Sequence, residues 1–225
     1  MKKSILLIIL TLSSVCGYGQ KVLIDSLRHV VTLPNVSAEQ RVRELADLGF
    51  VLRYIQPKEA IDFGEKAVQL SHTLSDKKYG SYAWARLYYC YRTADSISLT
   101  LGAVDSVMWY AQHSDSRIAL GNAYRIKGNY AYATGDRTGI FENLLKALEL
   151  LENSDNLHEM AHICYMLSGS FSVQNDWDNA EKYARFSDRL AHQTSNPDVQ
   201  CLTGLSMSNF FIIASAEVKV RQSWI

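Results

Sequence analysis

Between residues 38 and 216 the apolar positions follow helical spacing, and that spacing recurs at a longer fixed period. Leu45, Leu48, Gly49 and Leu52 form one set; Trp84, Leu87, Tyr88 and Tyr91 form the next. Tyr124, Lys127, Gly128 and Ala131 are followed by Cys164, Leu167, Ser168 and Phe171. The leading positions are 45, 84, 124 and 164, so the steps are 39, 40 and 40 residues. One more step of 40 reaches Gly204, with Met207, Ser208 and Phe211 behind it. A helical phase repeated at this period predicts stacked helix pairs. First helices are expected near 38–54, 77–95, 116–134, 156–174 and 197–216. Second helices are expected near 57–73, 98–113, 137–152 and 177–192, with a lead-in helix at 22–33 that ends at Pro34.

The second helices carry small residues in the same phase: Ala60 and Ala67, then Ala147, then Ala180 and Ser187. The second repeat is less regular there, with Thr100 and Val107. A glycine or serine in the first helix lets two helices cross closely. Tyr88 occupies that small position in the second repeat, so its local packing must differ. The turn residues agree with the helix boundaries. Ser37 and Gln40 form a capping box, and Pro57 suits the first turn of a helix. Gly135-Asp136 and Asn175-Asp176 break the later pairs, with each aspartate placed as an N-cap.

These sets resemble the tetratricopeptide-repeat family over residues 38 to about 213. The resemblance implies an all-α fold, an α-α superhelical solenoid of about four and a half helix pairs. The period exceeds the family's usual one, which implies helices lengthened by about a turn. More narrowly, the layout is similar to the exported repeat regions of bacterial sensor histidine kinases and repeat-containing transcriptional regulators. The shared features are a short leader, the segment Leu23-Ile-Asp-Ser-Leu-Arg, and the turn Pro57-Lys-Glu-Ala.

The N-terminus has the composition of a signal peptide. Lys2 and Lys3 precede an apolar run from Ile5 to Leu12, and Gly17-Tyr18-Gly19 supplies the small-x-small cleavage pattern. The expected organisation is a signal peptide at 1–19, a lead-in helix and linker at 20–37, repeats at 38–216 and a tail at 217–225. Localisation is expected to be periplasmic or extracellular in a bacterium, with Cys16 a weak fit to a lipobox. Removing residues 1–19 leaves 21 basic and 23 acidic side chains, a formal charge of −2. A near-neutral surface argues against general nucleic-acid binding and against a polybasic membrane contact. Beyond the leader, no apolar run is long enough to span a bilayer stably. Cys90, Cys164 and Cys201 all lie in apolar helical patterns, as buried thiols do.

His158-Glu159-Met160-Ala161-His162 matches H-E-x-x-H, the pattern of a zinc peptidase, and Glu181 lies where a third ligand is sometimes found. The repeat register argues against it, because it places His158 in a linker and His162 in a first helical turn. Asp155-Asn156 is also too polar for the buried helix such an enzyme needs. No metal, cofactor or catalytic residue is therefore expected. In the tetratricopeptide family, concave-face residues recur at fixed first-helix positions. The resemblance carries these to Arg43, Ala46, Phe50 and Arg53; Tyr82, Ala85, Tyr89 and Arg92; Asn122, Arg125, Asn129 and Tyr132; and His162, Tyr165, Gly169 and Ser172. This set holds four arginines and no acid. Guanidinium forks pair with carboxylates, so the implied ligand is a protein or an acidic peptide. Arg53, Arg92 and Arg125 are expected to align along one wall.

Three readings of function follow. One is an exported binding scaffold; the second is an extracytoplasmic sensory domain, truncated from a longer regulator; the third and remote one is a zinc metallopeptidase acting through residues 158–162. Phe210, Phe211, Ile212 and Ile213 crowd the last helix with apolar side chains, which suggests self-association through residues 201–216.

Overall fold

The computed structural model describes residues 20–194. The leader at 1–19, Cys16, Cys201, the fifth first-helix at 197–216 and the tail at 217–225 lie outside the described residues. Those described are helical throughout, with short turns and no strand. Helix α1 covers residues 20–32. It is followed by α2 (Ala38–Leu52), α3 (Pro57–Ser71), α4 (Lys78–Thr93) and α5 (Ile97–Gln112). Then come α6 (Arg117–Thr134), α7 (Arg137–Leu151), α8 (Leu157–Val173) and α9 (Trp177–His192). From α2 to α9 each terminus lies within two residues of its expected place. No helix among the described residues is long and apolar enough to cross a membrane.

The boundaries follow from local chemistry. The Ser37 hydroxyl accepts the Gln40 amide at 3.2 Å, and Pro57 opens α3. Gly135 takes the left-handed conformation, φ 75°, and the Asp136 carboxylate then caps α7 through the Gly139 amide at 3.0 Å. Asn175 and Asp176 repeat the device ahead of α9, with φ 60° at Asn175 and a 3.2 Å bond from the Asn179 amide.

Two compact units divide the chain, one up to Asp115 and one from Ser116. In the first, α2 packs on α3 and α4 on α5, and α4 also lies against α2 and α3. Gly49 sits where α2 crosses α3. A Cβ there would stand 2.7 Å from the Ala60 carbonyl oxygen, so the crossing depends on its absence. In the second unit α6 pairs with α7 and α8 with α9, around fully buried Leu144, Leu151, Ile163 and Leu167. Two serine hydroxyls tie α8 to α9: Ser168 donates to the Ala180 carbonyl at 2.8 Å and Ser187 to the Ala161 carbonyl at 2.6 Å. All the small second-helix positions, Ala60, Ala67, Ala147, Ala180 and Ser187, are fully buried.

Tyr88 is fully buried in the position where the other repeats carry Gly49, Gly128 and Ser168. In the third repeat Gly128 receives Leu144. The residue equivalent to Leu144 in α5 is Val104. The second repeat thus carries more bulk on its first helix and less on its second than the third repeat does.

Candidate binding face

The best-defined constellation lies in the first unit, where α2 and α4 run side by side. Residues one or two turns apart on each helix share a face, and here that face alternates guanidinium and aromatic groups. Arg43 lies over the rings of Tyr79 and Tyr82, at 5.4 and 5.5 Å from their centroids. Arg86 lies over Tyr82 at 5.1 Å and over Phe50 at 4.5 Å. Phe50 meets Tyr89 edge-on at 5.4 Å. Arg53 stacks on Phe50 at 3.7 Å and on Tyr54 at 4.4 Å, and Arg92 covers Tyr89 at 5.4 Å. Each such contact is worth about 0.5–2 kcal/mol, and it fixes the plane of a side chain that would otherwise be mobile.

One carboxylate enters the array. Asp47 accepts the Tyr82 hydroxyl at 2.6 Å and pairs with Arg86 Nε at 2.9 Å, while Arg86 also donates to the Tyr82 oxygen. Burial pushes the Tyr82 phenol up to about 12, so it stays protonated and remains a donor at neutral pH. Arg43, Arg53 and Arg92 have no carboxylate partner among the described residues. An Arg53 N–H instead donates to the Phe50 carbonyl of its own helix. Burial lowers the Arg53 pKa from its usual value, and Tyr54 partly offsets this.

The second unit arranges its site residues differently. Arg125 is 6% exposed, and its Nε lies 2.7 Å from a Glu159 oxygen. The other oxygen of Glu159 is 3.3 Å from His158 Nε2. Arg125 is therefore neutralised within its own unit. Asn129 is buried, and Asn122 is half-buried with its Oδ1 lacking a hydrogen-bond partner among the described residues. His162 and Tyr165 are half-buried neighbours, with ring centroids 6.2 Å apart, and Tyr132 is 56% exposed.

The H-E-x-x-H segment forms the first two turns of α8. His158 lies inside the helix, not in the linker where the repeat register put it. The Glu159 carboxylate is held by Arg125, and Glu181 pairs with Arg185 one turn along α9.

The sequence reading omitted Asp47, Tyr79 and Arg86. Asp47 and Arg86 stand 39 residues apart, one repeat, each just after a position carried over from the family, Ala46 and Ala85. A one-residue offset in register was the signal that could have found them.

Cys90 and Cys164 are buried and free, and burial pushes their thiols up to about 11 and about 12. Both are protonated at neutral pH and poor nucleophiles. In a Cys201→Ser variant of the chain from Gln20 onward, a thiol reagent is expected to label neither cysteine until denaturant unfolds the protein. Rapid labelling of either in native buffer would contradict the described burial.

No protein-family model matches the chain, and no curated protein matches it. Its likeness to solved structures is clear. A Rap protein complexed with competence and sporulation factor superposes with a TM-score of 0.66 at 14% identity, covering 92% of this chain and 65% of that one. The apo form of RapI gives 0.61 at 13% identity over 86% of this chain, which spans 56% of RapI's length. The nearly identical TPR-like repeats assigned to a kinesin light chain of Podosopora anserina give 0.59 at 9% identity, covering 84% and 93%. At such identities the likeness is one of fold. The described residues have the all-α, tetratricopeptide-like repeat fold that the family resemblance implies.

Proposed function

We propose that this protein is a binding scaffold whose α2/α4 face holds an acidic peptide or an acidic segment of a protein. The observation that carries the reading is the set of three guanidiniums, Arg43, Arg53 and Arg92, each laid on an aromatic ring and none facing a carboxylate among the described residues. The ring occupies the flat side of the guanidinium, so N–H groups at its edge, on Arg53 those not given to the Phe50 carbonyl, are left to bind a carboxylate. Arg86 and Arg125 have such a partner already, in Asp47 and Glu159. A similar fold in a structure complexed with competence and sporulation factor supports a ligand-holding role. The leader-like segment at 1–19 favours an exported scaffold. The same repeats would serve the sensory domain of a longer regulator, and the binding face would then be its input site. An enzymatic role has no support from the H-E-x-x-H segment, whose glutamate is engaged by Arg125.

An array of immobilised peptides of acidic, neutral and basic composition tests the reading. The chain is expected to bind acidic peptides preferentially and to lose them at 0.5 M salt, because part of the attraction is screened there. A preference for basic peptides, or none, would reject it.

A further inference from the structure

The α2/α4 face does not present a continuous stripe of positive charge. Its middle is closed: Asp47, Arg86 and the Tyr82 hydroxyl satisfy one another at 2.6–3.1 Å. The guanidiniums with no described carboxylate stand on either side of that cluster. Arg43 is at one end, on Tyr79 and Tyr82. Lys78 adds to the positive field there, with its ammonium 5.1 Å from the Tyr79 ring, though Asp76 pairs with it at 2.6 Å. Arg53 and Arg92 are at the other end, and they share the Phe50–Tyr89 edge pair. They stand 39 residues apart, so they are the same position in successive repeats.

We infer, on the reading of this face as an acidic-peptide site, that the ligand is bipartite: two acidic residues separated by a short neutral segment that crosses the Asp47–Arg86–Tyr82 cluster. The spacing follows from helix geometry. Arg43 and Arg53 are ten positions apart, and Arg53 keeps helical torsions at the end of α2, so their backbones are about 15 Å apart at 1.5 Å per residue. An extended peptide advances roughly 3.3–3.6 Å per residue, so about four steps, and hence about three or four intervening residues, span that distance. An acidic residue in the middle would meet the Asp47 carboxylate. A uniformly acidic run is therefore a poorer ligand than a spaced pair, which distinguishes this site from a simple basic patch.

The test is a peptide series, Ac-Ser-Glu-(Ser)n-Glu-Ser-NH2 with n from 0 to 8, titrated by calorimetry into the purified chain. Affinity is expected to peak near n of 3 or 4. Glutamate replacing the central serine of the best peptide is expected to weaken it. Arg43→Gln and, separately, Arg92→Gln should each lower that peak by about tenfold, the size of one charge-assisted hydrogen bond, and flatten the dependence on n. The two variants probe opposite ends, so failure of one to fold leaves the other as the test. Binding independent of n, or an Arg43→Gln protein that binds like the parent, would overturn the bipartite ligand and leave the acidic-peptide reading standing. Failure of every peptide in the series, and of acidic peptides on the array, would overturn both.

Discussion

Replacing Arg125 by methionine is expected to lower the stability of the unit beginning at Ser116 by about 3–5 kcal/mol, the range for removing one partner of a buried ion pair. The physical reason is the carboxylate left behind. Glu159 is mostly buried, its charge is met by Arg125 at 2.7 Å, and His158 is at 3.3 Å on its other oxygen. Methionine fills much of the volume of arginine, so the loss would come from charge and not from a cavity. The double variant Arg125→Met, Glu159→Gln removes both charges and should recover most of the loss. Urea unfolding followed by circular dichroism measures it. Two transitions are the expected form if the two units unfold separately, and only the one belonging to the second unit should move. A single variant as stable as the parent would show that the pair contributes nothing to stability.

Tyr88→Ala is expected to cost about 3–5 kcal/mol, as large-to-small changes at fully buried aromatic positions do. Tyr88→Gly should cost about 1 kcal/mol more, through the backbone freedom of a helical glycine. The second change would restore the residue that Gly49 and Gly128 supply in the first and third repeats. It should nevertheless destabilise, because the facing element has adjusted. Where α7 offers Leu144 to Gly128, α5 carries only Val104 at the equivalent position. Tyr88→Gly with Val104→Leu should be less destabilised than Tyr88→Gly alone, since it re-creates the third repeat's pairing. Thermal unfolding of the parent, Tyr88→Gly, Val104→Leu and the double variant closes the cycle. An unaltered melting temperature for Tyr88→Ala would contradict the packing described.

The repeat architecture was legible because two signals with different physical origins agreed. The 39- and 40-residue spacing records which faces must be buried. The caps at Ser37, Asp136 and Asp176 record where backbone donors need partners, and all three accept the expected amide. The guanidinium–aromatic array on α2 and α4 was legible only in part. Arg43, Arg53, Tyr89 and Arg92 were found because a family register points at first-helix positions. Asp47 and Arg86 were not, because they lie one residue beyond those positions and reach the face through their long or polar side chains. The count of arginines against acids includes one arginine that is already paired. That one is Arg125, whose partner Glu159 belongs to another helix and stands out in the sequence only as part of H-E-x-x-H. Sequence spacing shows which residues share a helix face, whereas an ion pair between helices depends on how those helices pack.

The measurement that tests the account most directly compares acidic-peptide binding by the parent and by the triple variant Arg43→Gln, Arg53→Gln, Arg92→Gln. Calorimetry should be run at low and high salt, with circular dichroism confirming that the variant is folded. None of the three arginines holds a described carboxylate, so the variant should keep the parent's helicity. The account predicts that the parent binds, that salt weakens the binding, and that the folded variant does not bind detectably. A folded triple variant that binds acidic peptide as tightly as the parent would contradict it.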